Sequence, residues 1–132
     1  MNWVLIYAAV IGTILVFDVF WLGLIAKRFY ADQLGSLMRK PVLAAPALLF
    51  YLLYAVGLVI LAVRPNDAAT SVANSAFLGA VVGFVAYGTY NMTNYATLKH
   101  WPIKMTAVDW PIGTGLSALA CTVGAYVKQL LV

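Results

Sequence analysis

Two aspartates sit where a carboxylate is difficult to accommodate. Asp18 lies well inside a long apolar stretch, and Asp109 stands at the start of another. An acid at such a depth needs a partner, a proton or a ligand, and intramembrane acids commonly mark ion, proton or substrate sites. No Lys or Arg lies within the stretch that holds Asp18 to pair with it, unless Lys27 or Arg28 folds back toward it. Its functional readings are proton coupling or polarisation of a ligand, and its structural reading is a lock between the first apolar segment and the third. Asp109 has a simpler reading beside the functional one, since an acid in a first helical turn is favoured by the helix dipole. The third source of chemistry is the run Tyr87, Tyr90, Asn91 and Asn94, which offers donors and acceptors over two helical turns, for interhelical hydrogen bonds or for a ligand.

Other reactive types carry less. His100 is the only histidine and lies beside a loop, so bis-histidine haem ligation is impossible. No Cys/His cluster suits a metal, and no cofactor is expected. Cys121 is the sole cysteine, so no intramolecular disulfide forms, and its spacing reads as packing rather than as a reactive thiol. With neither metal site nor activated nucleophile, an enzyme would have to use Asp18 and Asp109 as an acid–base pair, so a non-catalytic role is favoured.

The elements that must position these groups follow from composition. The chain has 132 residues, 64% hydrophobic and 9% charged, with a mean hydropathy of +0.94. A water-soluble domain needs more charge to cover its surface. Four apolar stretches, 3–26, 44–63, 71–98 and 106–131, each reach the ~20 residues that cross a ~30 Å hydrocarbon core. The expected fold is all-α: one polytopic membrane domain over 1–132, a bundle of four transmembrane helices. The first stretch lacks a basic leader and runs too long for a cleavable signal peptide.

The charge of +4 reflects basic residues flanking spans rather than a nucleic-acid surface. Lys27, Arg28, Arg39, Lys40, Lys99 and Lys104 fall on one side, and only Arg64 and Lys128 on the other. The positive-inside rule then places both termini outside. Between the first two spans, Phe29, Tyr30, Leu34, Leu37 and Met38 give the segment an apolar face. It reads either as a short interfacial helix or as a loop broken at Gly35. Pro41 and Pro46 introduce the second span, Arg64-Pro65-Asn66-Asp67 is a sharp break, and Trp101 is expected at headgroup level.

Small residues predict the seams, because lipid-embedded helices associate by close van der Waals contact. The third span carries Ser75, Gly79 and Gly83, the fourth Gly113, Ser117, Cys121 and Ala125, and the first Ala8 and Gly12. At about 100° per residue, Ser75, Gly79, Gly83, Tyr87, Tyr90, Thr93, Asn94 and Thr97 share one side of the third helix. Phe77, Leu78, Val81, Phe84, Val85 and Met92 share the other. The topology brings Asp18, Tyr87–Asn94 and Asp109 into one leaflet. They are expected to form a polar pocket toward the cytoplasm, walled by Phe17, Trp21, Phe50, Tyr51 and Tyr54. The segment Phe29–Met38 would lie over it as a lid.

The residues Phe17-Asp18-x-x-Trp21-Leu22, Phe29-Tyr30, Leu34-Gly35, Pro46-Ala47-x-x-Phe50-Tyr51-x-x-Tyr54, Gly79, Tyr87-x-Thr89-Tyr90-Asn91-x-Thr93-Asn94-x-Ala96-Thr97, Trp101-Pro102 and Asp109 resemble a bacterial family. It is the four-helix membrane protein family catalogued as domain of unknown function 2177. The resemblance implies four transmembrane helices in a bacterial inner membrane. It also implies a neighbourhood of lipid-modifying enzymes, which favours a lipidic partner. The chain departs from the family pattern at Asn91, where members usually carry aspartate. It departs again at Asp109-Trp110-Pro111-Ile112-Gly113, where they carry D-x-x-W-G.

Three functions fit. The first is a protein that binds a lipid or other amphipathic molecule, with Asp18, Trp21, Tyr87, Tyr90, Asn91, Asn94 and Asp109 as ligand-binding residues. The second is a small proton-coupled transporter using Asp18, superficially similar to the small multidrug exporters. The third is a ligand-free assembly subunit whose seams (Gly79, Gly83, Gly113, Ser117, Cys121) join a homodimer or a membrane partner protein.

Overall fold

The computed structural model describes residues 1–65 and 72–132, all strand-free. Helix α1 runs Trp3–Phe20, capped by the Asn2 side chain, which accepts a bond from the Leu5 N–H at 3.3 Å. One wider turn carries it to Ile25. A short helix, α2, covers Lys27–Leu34 and stops at Gly35, whose φ of +52° suits glycine. Of the two readings of this segment, the structure shows the short helix, ending at Gly35, rather than an irregular loop. Helix α3 spans Ala44–Leu58, with Pro46 in its first turn, and one wide turn extends it to Val63. Helix α4 spans Val72–Thr97 and α5 spans Ile103–Leu130. Asn66 and Asp67 of the expected break, and Ser71, lie outside the described residues.

Among the described residues three helices are long and apolar enough to cross a membrane: Trp3–Ile25, Ala44–Val63 and Val72–Thr97. Helix α5 is long enough, at 28 residues, but falls outside that set. The reason is its position. It packs against α1, α2, α4 and the end of α3, so Gly113, Ser117, Cys121 and Gly124 face protein and need not be apolar.

The α4–α5 seam is antiparallel and built on absent side chains. A Cβ on Gly79 would lie 2.7 Å from Cys121 Sγ and 2.8 Å from the Ser117 carbonyl. On Gly83 it would meet Ser117 Cβ at 2.6 Å, and on Gly113 it would strike the Tyr87 ring. Each four-residue step turns the contact line by about 40° around the helix. This drift corrects the straight-wheel expectation. Asn91 is buried, whereas Thr93 and Thr97 are exposed.

The first helix uses a different device. Ile6, Val10 and Ile14 are buried against Ala55, Leu58, Ala62, Val63, Leu116 and Ala120. The glycine that receives α1 is Gly124 of α5, 2.6 Å from Val10 Cγ2 for an added Cβ. Ala8 and Gly12 do not form the expected seam. Ala8 is exposed, and Gly12 has nothing within 4 Å of a Cβ. At the far end of the bundle from α2, Lys128 is buried, and its Nζ donates to the Val63 carbonyl at 3.1 Å and the Arg64 carbonyl at 3.4 Å. It thereby satisfies carbonyls that the end of α3 leaves open.

Candidate functional site

Helix α5 begins at Ile103, so Asp109 lies in its second turn, not in the first turn where the dipole reading put it. Its partners are specific side chains. Asp109 Oδ1 accepts from the Tyr30 hydroxyl at 2.8 Å, and Oδ2 accepts from Asn91 Nδ2 at 2.8 Å. The Tyr30 oxygen in turn accepts from Trp21 Nε1 at 3.2 Å. One carboxylate thus ties α5 to α2 and α4, and through Tyr30 to the last turn of the first span. Charge-assisted bonds of this kind are the stronger class. Burial first, with the nearby Asp109 and Asp18 charges, pushes the Tyr30 phenol up, against the opposing bond from Trp21. Tyr30 remains a neutral donor.

Asn91 is fully buried, and its Nδ2 also donates to the Tyr87 carbonyl at 2.9 Å. Because both partners of Nδ2 are acceptors, the amide cannot be reversed, and Oδ1 is left buried without a partner among the described residues. The Asn94 side chain, one turn on, is half-buried.

Asp18 makes a separate contact. Its Oδ2 accepts from the Tyr51 hydroxyl at 2.7 Å. The expected lock between the first and third spans is therefore replaced by one between the first and second. Lys27 and Arg28 are exposed rather than folded back onto it. Among the described residues neither Asp18 Oδ1 nor the Tyr87 hydroxyl has a hydrogen-bond partner.

Between these two nodes lies a cavity of about 330 Å³. Asp18, Trp21, Tyr30, Tyr51, Tyr87, Tyr90 and Asp109 line it, with Leu22, Phe50, Ala86, Ile112, Gly113 and Leu116 as apolar wall. Asn91 and Asn94 are not among the lining residues; Asn91 stands one hydrogen bond behind Asp109. Gly113 admits the Tyr87 ring, and Tyr87 packs edge-on against Tyr54 with centroids 6.1 Å apart. Tyr54 shares a 2.6 Å hydrogen bond with Ser117, which fastens the aromatic wall to the seam.

Two tryptophans near the site fasten helices together. Trp101 is buried with Ala26, Tyr30 and Met105, and its Nε1 donates to Thr106 Oγ1 at 3.0 Å. It seats α2 on the start of α5. Trp110 lies over Gly88 and donates to the Phe84 carbonyl at 2.9 Å, clamping α4. His100 is exposed and holds a left-handed φ of +65° where the chain leaves α4.

Tyr30 and Tyr51 carry no spacing in the sequence that marks them as the partners of the two acids. The usable signal was that a phenol beneath an apolar surface must find a polar partner.

Apolar helices of this length enclosing a partly polar cavity define a helical integral membrane protein. The family described as "Predicted membrane protein (DUF2177)" matches residues 3–126, and the chain belongs to it. No curated protein and no solved structure matches the chain.

Proposed function

We propose that the chain crosses a bacterial inner membrane four times, with both termini outside, and binds a lipid or other amphipathic molecule between its helices. The fourth span would be α5, whose 28 residues suffice for a crossing and whose small polar residues face protein. The orientation follows from the basic residues near α2 and the α4–α5 turn.

The observation that carries the reading is the 330 Å³ cavity, with its acids and phenols set among apolar and aromatic walls. Such sites suit small molecules with a polar end and an apolar body. Leu22, Phe50 and Tyr90 line the cavity while being 39%, 45% and 50% exposed, so the wall continues to the outer surface of the bundle. An alkyl chain can leave there into lipid while its head group stays at the acids.

The test is native mass spectrometry of the protein purified in mild detergent. An amphipathic molecule should remain bound, and Ala86→Phe, which fills the cavity from the α4 wall, should reduce its occupancy by roughly tenfold. Equal retention in Ala86→Phe would place the molecule elsewhere and remove the basis of the reading.

A further inference from the structure

The ionisable groups of the cavity are opposite in kind to those that dominate the chain. The protein carries eight Lys and Arg against four acidic residues. Yet the cavity takes in two of the four acids, Asp18 and Asp109, and its lining includes no Lys, Arg or His. Its hydrogen-bonding groups are also unbalanced toward acceptors. A carboxylate offers about four lone-pair sites, and Asp109 uses one on each oxygen. Asp18 uses one bond on Oδ2 and leaves Oδ1 open. Tyr30 and Tyr51 have committed their protons to the acids, so the donors left along the lining are the single protons of the Tyr87 and Tyr90 hydroxyls, which carry no charge. Behind Asp109 the Asn91 Oδ1 has no donor among the described residues.

Carboxylates in a low-dielectric site are costly unless a cation or several donors meet them. Both needs are met by a protonated amine, which brings a positive charge and N–H donors. The aromatic lining adds to this. Trp21, Tyr87 and Tyr90 line the same space, and aromatic rings attract a cation by their quadrupoles, most strongly where water is excluded.

We propose that the ligand is an amphiphile with an ammonium head group, seated between Asp18 and Asp109 against the Trp21–Tyr87–Tyr90 wall. This rests on the amphiphile-binding reading above and narrows it to one head-group chemistry. An anionic head group would face two acids with no cation beside them, and a neutral hydroxyl would give Asp18 Oδ1 a donor but bring no positive charge.

Three probes sharing one dodecyl tail test it on the full chain in neutral maltoside micelles: dodecylammonium, dodecyl glycerol ether and dodecyl sulfate. By native mass spectrometry dodecylammonium should be retained roughly tenfold better than either of the others. Asp18→Asn combined with Asp109→Asn should remove that preference. If the double variant does not fold, Asp18→Asn alone serves, because its amide oxygen can still accept from Tyr51; it should cut the preference. Equal retention of the three probes, or a preference that survives the charge removal, overturns the amine assignment and leaves amphiphile binding standing. Retention of none of them overturns the amphiphile reading itself, and the amine assignment with it.

Discussion

The Tyr30 hydroxyl is a single atom on which three elements converge, and removing it gives a measurable change. Tyr30→Phe keeps the ring, which packs edge-on against Phe29 with centroids 5.7 Å apart, and deletes only the oxygen. Two bonds are lost: the one donated to Asp109 Oδ1 at 2.8 Å and the one accepted from Trp21 Nε1 at 3.2 Å. A bond to a charged group contributes about 1.5–3 kcal/mol, and a neutral one about 1 kcal/mol. Asp109 and Trp21 both border the cavity, so water replaces part of what the phenol supplied. A net cost of about 2 kcal/mol follows, equivalent to roughly thirty-fold in a local equilibrium. That cost falls on the docking of α2, because Asp109 keeps its bond to Asn91 on α4. Hydrogen exchange with mass-spectrometric readout should therefore show amides 27–34 exchanging faster by about that factor, with the α4–α5 seam unchanged. Exchange in α2 equal to that of the parent chain would refute the argument that this hydroxyl holds the helix down. A uniform rise across α4 and α5 would show instead that Asp109 is part of the global core.

Two further perturbations separate packing from end-capping. Gly79→Ala places a methyl against the Ser117 carbonyl, which cannot rotate away. It should cost about 2 kcal/mol, whereas Gly12→Ala, with nothing within 4 Å, should be neutral or gain up to about 1 kcal/mol of helix propensity. Unfolding in mixed micelles checks the pair, and equal effects would contradict the seam. Lys128→Met retains the buried stem but strips the Val63 and Arg64 carbonyls of their donor. A loss of about 2 kcal/mol is expected, read as a lowered midpoint in thermal unfolding; an unchanged midpoint would mean that water serves those carbonyls equally well.

What the sequence made legible follows physical lines. Span positions are local sums of hydropathy, so Trp3–Ile25, Ala44–Val63 and Val72–Thr97 lie where composition put them. The small stripes of α4 and α5 were readable from Gly79, Gly83, Gly113, Ser117 and Cys121, but small residues serve equally within one chain or between two. It is the approach of Gly79 to Cys121 and of Gly83 to Ser117 that pairs them within the chain. Ala8 and Gly12 show the limit of that signal. A small residue permits close approach but does not compel it, and the buried face of α1 was decided by Val10 meeting Gly124. The shared depth of Asp18, Tyr87 and Asp109 was readable because loop charge orders the spans end to end. Lateral order has no such signal, which is why the partner of Asp18 is Tyr51 on α3 rather than a group on α4. Tyr30 was obscured for a related reason: its role exists only once α2 folds back over the first turns of α5.

The hydrogen bonds also divide the two acids by task. Asp109 has both oxygens engaged and holds two other helices, so its carboxylate is placed by α2 and α4 before any ligand arrives. Asp18 is held by one phenol and keeps an oxygen open toward the same cavity. Pre-organised and available groups side by side are what a binding site requires. The first fixes geometry at no cost on binding, and the second supplies the contact. Asn91 belongs to the first group. By donating through Nδ2 to both Asp109 and the Tyr87 carbonyl, it sets the carboxylate relative to α4, and a buried Oδ1 without a donor is the local cost of that arrangement. Substitutions at Asp109 and Asn91 should accordingly register first in helix docking, while those at Asp18 should register first in what the cavity holds.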